Sequence, residues 1–134
     1  MFDARMDAWV ADHDLRTDGF WYVGTPYSKY PGGIDLAFKV TCRITAEFIR
    51  RGVPVFSPIT HSHPVAVHGG IDPLDHKIWL PADAPMMRAA HGLIVVQMET
   101  WRESVGLRHE IEAFRAAGKP VLYYPGVEHT GWAG

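Results

Sequence analysis

The sequence predicts an α/β protein built on a doubly wound parallel sheet of four to five strands, with helices on both faces. Short apolar runs alternate along the chain with amphipathic helical segments, which is typical of parallel sheets. The runs contain almost no polar residues, as expected of strands that are covered on both sides. Right-handed crossovers between such strands then favour a doubly wound topology.

Four apolar runs are the predicted strands. The first ends at Gly24, where the chain enters a tight turn, and the second is closed by Ser57-Pro58. The four runs cover residues 20–23, 53–56, 93–96 and 121–124.

Two helices are predicted from apolar residues at helical spacing. One carries Ala37, Ile44 and Phe48 on one stripe and stops at Gly52. The other is opened by Ser104 as N-cap and ended by Gly118, with Leu107, Ile111 and Phe114 on its apolar stripe.

The segment between the second and third strands is predicted to be irregular. Residues 59–72, rich in His and Gly, are interpreted as a loop. A short helix begins with Asp72 as N-cap and stops before Pro81, and another begins at Asp83 and runs through Ala90.

The two ends of the chain are predicted to be minor elements. Residues 1–18 form a peripheral segment, in which Met6, Trp9 and Val10 make a short docking helix. Residues 125–134 form a short tail.

Composition limits the class of protein. The 134 residues fit one domain over 1–134, and 47% apolar with 21% charged residues is a globular profile. With a net charge of −2 and no Lys/Arg run, we expect no nucleic-acid polymer as partner. No apolar run approaches the roughly 20 residues that cross a bilayer, so no membrane partner is expected either. The single cysteine, Cys42, excludes an intrachain disulfide and favours the cytoplasm.

The loops that follow the first three strands are expected to surround one pocket, because ligands bind at the carboxyl ends of parallel strands. These loops and the helices next to them are rich in glycine, hydroxyl and charged groups. The candidate substrate-binding residues are Gly24, Ser28, Ser57, Trp79, Ser104 and Gly106.

Three further residues have both a structural and a functional interpretation. Glu110 lies about 70° from the centre of its helix's apolar stripe, which also suits a solvated salt bridge with Arg108 or Arg115. Asp83 is explained equally well as a helix N-cap, and Tyr27 as a packing residue in a turn.

Several of these residues together resemble the nucleoside 2-deoxyribosyltransferase superfamily, which includes the 2′-deoxynucleoside 5′-monophosphate N-glycosidases. The resemblance covers residues 20–124 and rests on Tyr22-Val-Gly-Thr-Pro-Tyr-Ser28, on Asp83, and on Ser104-Val-Gly-Leu-Arg-His-Glu110. Within that superfamily the chain is similar to an uncharacterised bacterial family with Trp-x-Pro-x-Asp (79–83) and Trp-Arg-x-Ser (101–104).

The resemblance implies a flavodoxin-like sheet, a homodimer or higher homo-oligomer, and cleavage or transfer at the N-glycosidic bond of a nucleoside or nucleotide. Glu110 would be the nucleophile. Asp83 would hold or protonate the leaving base, or anchor a sugar hydroxyl group, and Tyr27 would donate a hydrogen bond to Glu110. Trp79, or an aromatic residue such as Phe56, would stack on the base. The loop after the first strand lacks the arginine that grips the 5′-phosphate in the monophosphate hydrolases; Lys29 and the Gly32-Gly33 amides are possible substitutes.

Two alternatives remain open. His61, His63, His68 and His76 lie within sixteen residues, as in a metal-binding protein, although their spacing matches no zinc motif. A non-catalytic nucleotide-binding or sensing module would use the same fold. We expect no cofactor and no metal.

Overall fold

The computed structural model describes residues 3–127 and confirms the predicted fold class. In this part of the chain, four parallel strands form one sheet in the order β2-β1-β3-β4, which suits a flavodoxin-like doubly wound protein. The strands are β1 Trp21–Gly24, β2 Val55–Phe56, β3 Gly92–Met98 and β4 Val121–Val127. Of the predicted tail, 125–127 belong to β4 and the rest lies outside the described residues.

Within residues 3–127, five helices flank the sheet. The predicted helix after β1 and the predicted helix opened by Ser104 are both present. The helices are α1 Asp3–Asp12, α2 Ile34–Arg50, α3 Pro58–Gly69, α4 His76–Ala89 and α5 Val105–Ala116.

Strand β1 shows how the two faces of the sheet are divided. Successive residues of a strand point to opposite faces. Trp21 and Val23 pack in the cluster that contains the buried side chains of α1 and α2. Tyr22 packs in a second cluster with Leu107 and Phe114 of α5. Helices therefore cover both faces, and α5 lies on the side of Tyr22.

The predicted loop over 59–72 is wrong for most of its length, because α3 occupies Pro58–Gly69. Its buried side chains include Ser62, His63 and Ala66, so its inner face is polar or small. An inner face of this kind lacks the apolar periodicity by which helices are recognised. The helix even continues through Pro64.

The two short helices predicted over 72–90 are also wrong, because one helix, α4, runs through both prolines, Pro81 and Pro85. Its N-cap is Asp75, whose carboxylate accepts from the Lys77 N–H at 3.1 Å. Asp83 lies inside the helix, so the N-cap interpretation of Asp83 is excluded.

The N-terminal segment is less peripheral than predicted. Helix α1 places Met6 and Trp9 in the core beside α2, and Val10 packs against the same cluster. The indole N–H of Trp9 donates to the Tyr123 carbonyl oxygen at 3.0 Å. Within residues 3–127, no helix has the length and apolar character needed to cross a membrane.

Candidate active site

A pocket opens at the carboxyl edge of the sheet, where β1 and β3 are neighbours and the chain order reverses. This edge is the expected ligand position in a doubly wound sheet. The cavity volume of this pocket is about 80 Å³, and the pocket is partly open to solvent. Its walls come from the turn after β1, the first turns of α3 and α5, and one side of α4.

The structure brings together the three residues predicted to be catalytic. Glu110, Asp83 and Tyr27 all line this pocket. Glu110 and Asp83 are half-buried, and each is supplied by a different helix, α5 and α4. The salt-bridge interpretation of Glu110 is not supported, because its carboxyl group faces the pocket.

The two carboxyl groups interact electrostatically. Burial raises the pKa of Glu110 to about 8, and the negative charge of Asp83 contributes to the same rise. Burial also raises the pKa of Asp83, an effect that nearby His61 partly offsets. The raised pKa of Glu110 favours the neutral form of this carboxyl group at neutral pH.

Tyr22 is the site residue that the sequence analysis missed. Its side chain is fully buried in β1, and its hydroxyl group lies close enough to Glu110 to lower the pKa of that carboxyl group. The pair falls short of good hydrogen-bond geometry, and the hydroxyl group has no other partner among the described residues. Burial, together with the charges of Glu110 and Asp83, raises the pKa of Tyr22. The available signal was strand alternation, which places Tyr22 on the same face as α5.

The predicted hydrogen bond from Tyr27 to Glu110 is wrong. The Tyr27 hydroxyl group is 2.5 Å from Nδ1 of His63, a buried residue on α3. Nε2 of the same imidazole lies 3.5 Å from a carboxylate oxygen of Asp35. Tyr27 lines the pocket, and its hydroxyl group is bonded to His63 rather than to Glu110.

Four of the six predicted substrate-binding residues line the pocket. They are Ser28, Trp79, Ser104 and Gly106. Ser104 is also the N-cap of α5, as predicted, and its hydroxyl group accepts from the Leu107 N–H at 3.2 Å. Trp79 is half-buried, and its indole N–H donates to the Asp72 carbonyl oxygen at 2.9 Å.

Gly24 and Ser57 lie behind the pocket wall rather than in it. Ser57 is buried and caps α3, accepting from the Thr60 N–H at 3.2 Å. A Cβ atom at Gly24 would lie 3.1 Å from Oε1 of Glu110 and 2.6 Å from Cδ1 of Leu107. Gly24 is therefore a packing requirement that lets the Glu110 carboxyl group lie directly against β1.

The histidines do not gather into a metal site in the described part of the chain, where no three His, Cys, Asp or Glu side chains converge. His61 is exposed, His63 is occupied by Tyr27, and His76 lines the pocket.

Fold and pocket together define a small doubly wound α/β protein with a paired-carboxylate pocket at its switch point. The chain belongs to the uncharacterised family described as "Domain of unknown function (DUF1937)", whose model matches residues 19–125. Helix α1 lies before the matched region. No curated protein matches the chain.

Proposed function

We propose that this protein cleaves or transfers at the N-glycosidic bond of a nucleoside or nucleotide, with Glu110 as nucleophile. The observation that carries the proposal is the pairing of Glu110 and Asp83, two half-buried carboxyl groups from different helices, in one pocket at the carboxyl edge of the sheet. Paired carboxyl groups are what glycoside chemistry uses, one to attack the sugar carbon and one to handle the leaving-group proton. The resemblance of residues 20–124 to nucleoside deoxyribosyltransferases favours a nitrogen base as leaving group.

In the first step, a carboxylate oxygen of Glu110 attacks the anomeric carbon of the sugar. The bond between that carbon and the base nitrogen breaks, and its electron pair leaves with the base. Asp83 donates the proton that neutralises the departing base. The product is a glycosyl ester on Glu110.

In the second step, water or a second base attacks the anomeric carbon and the ester bond to Glu110 breaks. The attacking group loses its proton to the Asp83 carboxylate, which restores the starting protonation state. Because both steps invert the anomeric carbon, the product keeps the configuration of the substrate.

The proton must sit on Asp83 when Glu110 attacks, although burial favours a neutral Glu110 in the empty pocket. The positive charge that develops on the sugar as the glycosidic bond breaks changes this balance, because an adjacent positive charge favours the ionised carboxylate. The anomeric carbon becomes oxocarbenium-like in the transition state, so ionised Glu110 is stabilised where the reaction needs it.

The test is a panel of nucleosides and 5′-monophosphates, incubated with and without an acceptor base and assayed for free-base release. At least one member should be cleaved, and Glu110→Gln should lower that rate by a factor of about 10³ or more, since the nucleophile is lost. Acid-quenched wild-type protein should carry the mass of one added sugar. A ligand that binds tightly and is never cleaved would instead favour the sensing module.

The matched control is Glu112→Gln, the same substitution two residues further along α5 on an exposed side chain. It should leave the rate unchanged. Equal rate losses in both variants would mean that the substitution acts through the helix rather than through the pocket.

We further propose a cytoplasmic homo-oligomer. Large apolar side chains are exposed on α3 and α4 and just before α4, including Val65, Val67, Leu74 and Ile78. Surfaces that expose several large apolar side chains are typical of protein interfaces. The single half-buried Cys42 suits a reducing compartment. Light scattering on the purified chain measures the assembly size.

A further inference from the structure

We infer that Asp35, His63 and Tyr27 form a hydrogen-bond chain of fixed polarity, which makes the Tyr27 oxygen an acceptor toward the pocket and selects ligands that offer a hydrogen-bond donor there. The donor class is a sugar hydroxyl group, a choice that rests on the proposed function. The chain itself rests only on the geometry of the described residues.

The chain runs from solvent to the pocket. Asp35 lies in the first turn of α2 with its side chain 68% exposed, and one of its oxygens pairs with Lys39 at 3.1 Å. Its other oxygen is 3.5 Å from Nε2 of His63, and Nδ1 of the same ring is 2.5 Å from the Tyr27 hydroxyl oxygen. His63 and Tyr27 are only 5% and 8% exposed.

The His63 ring is held firmly in this orientation. It stacks on Phe38 of α2, with ring centroids 4.5 Å apart and an interplanar angle of 21°. The Tyr27 ring meets it edge-on at 5.7 Å. The same ring therefore links α2, α3 and the turn after β1.

The ionised end fixes the direction of every hydrogen bond. A carboxylate only accepts, and the hydrogen bond with Lys39 lowers the pKa of Asp35. We therefore assign the ring hydrogen of His63 to Nε2, the nitrogen that lies 3.5 Å from this carboxylate. In the neutral ring Nδ1 then has only a lone pair and accepts from the Tyr27 O–H. With its hydrogen directed at His63, the Tyr27 oxygen offers only lone pairs to a ligand.

This polarity makes Tyr27 selective. A ligand hydroxyl group can donate to the Tyr27 oxygen, whereas a group of similar size that only accepts meets lone pairs. Losing one such buried hydrogen bond lowers affinity by about tenfold.

Nitrogen NMR of uniformly ¹⁵N-labelled full-length protein at pH 8 tests the chain without any ligand. His63 should show a single Nε2–H tautomer, while exposed His61 on the same helix should show the exchanging mixture of a solvated ring. Asp35→Asn should weaken the His63 preference and Lys39→Met should not, because Lys39 binds the other carboxylate oxygen. An Nδ1–H tautomer for His63 in the wild-type chain would overturn the inference.

Ligand selection is tested with adenosine and its 2′-, 3′- and 5′-fluoro-deoxy analogues, titrated calorimetrically against Glu110→Gln protein to prevent turnover. Fluorine keeps the size of a hydroxyl group but cannot donate. Fluorine at one of the three positions should lower affinity about tenfold. Adding His63→Phe, which keeps an aromatic ring against Phe38, should reduce that loss of affinity to under about threefold, because the Tyr27 hydrogen is then free to point at the ligand.

Tyr27→Phe should remove the same discrimination by deleting the acceptor. An unchanged hydroxyl-to-fluorine ratio in the His63→Phe background would overturn the selective role. If no nucleoside binds, the proposed function fails. The tautomer of His63 then still decides whether Asp35, His63 and Tyr27 form a hydrogen-bond chain of fixed polarity.

Discussion

The carboxyl group of Glu110 makes the stability of the protein depend on pH. Its pKa is raised from 4.5 to about 8, so the folded state favours the neutral form. The stability contributed by that neutral form is fully present below pH 4.5 and is lost as the pH rises through about 8. A shift of this size corresponds to at most about 5 kcal/mol, and solvent access through the pocket reduces it to about 1–3 kcal/mol.

We therefore expect Glu110→Gln to unfold at higher urea concentration than the wild type at pH 9 and at nearly the same concentration at pH 4.5. Gln cannot ionise, so the variant does not lose stability above pH 4.5 through this residue. Urea titrations at both pH values measure the difference. A constant difference across pH would show that the Glu110 carboxyl group is not desolvated.

The absence of a side chain at Gly24 leaves room for the Glu110 carboxyl group against β1. In Gly24→Ala, the new methyl group would lie 2.6 Å from Leu107, which is fully buried and has little room to move. Overpacking of this kind costs about 1–3 kcal/mol, and the same methyl group would push the Glu110 oxygen away from β1. We expect lower stability and a rate loss of at least tenfold.

Gly69→Ala is the control for that variant. Gly69 lies at the end of α3, and an added Cβ atom would come no nearer than 4.0 Å to Val65. Stability should be unchanged or slightly increased. An active and stable Gly24→Ala protein would mean that α5 can shift without harm.

At the same scale, Glu110 and Asp83 could be predicted only through the resemblance, because spacing alone also allows a surface salt bridge and an N-cap. The choice between Tyr22 and Tyr27 could not be made from sequence. Tyr22 stands among apolar residues of β1, so its sequence context indicates only a buried strand residue. The hydrogen-bond partner of Tyr27 is a histidine from a helix that was predicted as a loop.

At the scale of elements, helices with an apolar stripe were predictable and those without one were not. Helices α2 and α5 bury Ile44, Phe48, Leu107 and Phe114, which repeat at helical spacing. Helix α4 buries no residue fully and contains two prolines, each of which removes a backbone hydrogen bond. Its role as a wall of the pocket is visible only in three dimensions.

The N-cap of α3 is expected to contribute to the stability of the protein and not to ligand binding. Ser57→Ala removes the oxygen that accepts from the Thr60 N–H, so we expect a loss of about 0.5–2 kcal/mol in the free energy of unfolding. Ligand affinity should be unchanged, because Ser57 does not line the pocket. Chemical denaturation and nucleoside titration measure the two effects.

Ser28→Ala should give the opposite result. Ser28 is exposed and lines the pocket, so its removal should change stability by under about 0.5 kcal/mol while lowering affinity. If Ser57→Ala instead weakened binding at full stability, Ser57 would be the substrate-binding residue that the sequence predicted.

At the scale of the whole molecule, α1 and the pocket serve different ends of the sheet. Trp9 packs edge-on against Phe48 and Tyr124, with centroids 6.0 Å and 5.5 Å apart, and is 7% exposed. Val10, also on α1, and His13, just after it, lie beside residues 53–55 at the start of β2. This is the edge of the sheet opposite the pocket. Trp9→Ala should therefore lower the free energy of unfolding by about 3–5 kcal/mol.

The same variant should retain its KM for nucleoside at 15 °C, where it stays folded, because no residue of α1 lines the pocket. Val105→Ala, which shortens a side chain that is 53% exposed, is the control and should leave stability within about 0.5 kcal/mol. Denaturation and steady-state kinetics on the three proteins measure both quantities. If Trp9→Ala lost less than about 1 kcal/mol in the free energy of unfolding, α1 would be the peripheral segment that the sequence predicted. If its KM changed, the side chains packed against α1 would affect the pocket at the carboxyl edge of the sheet.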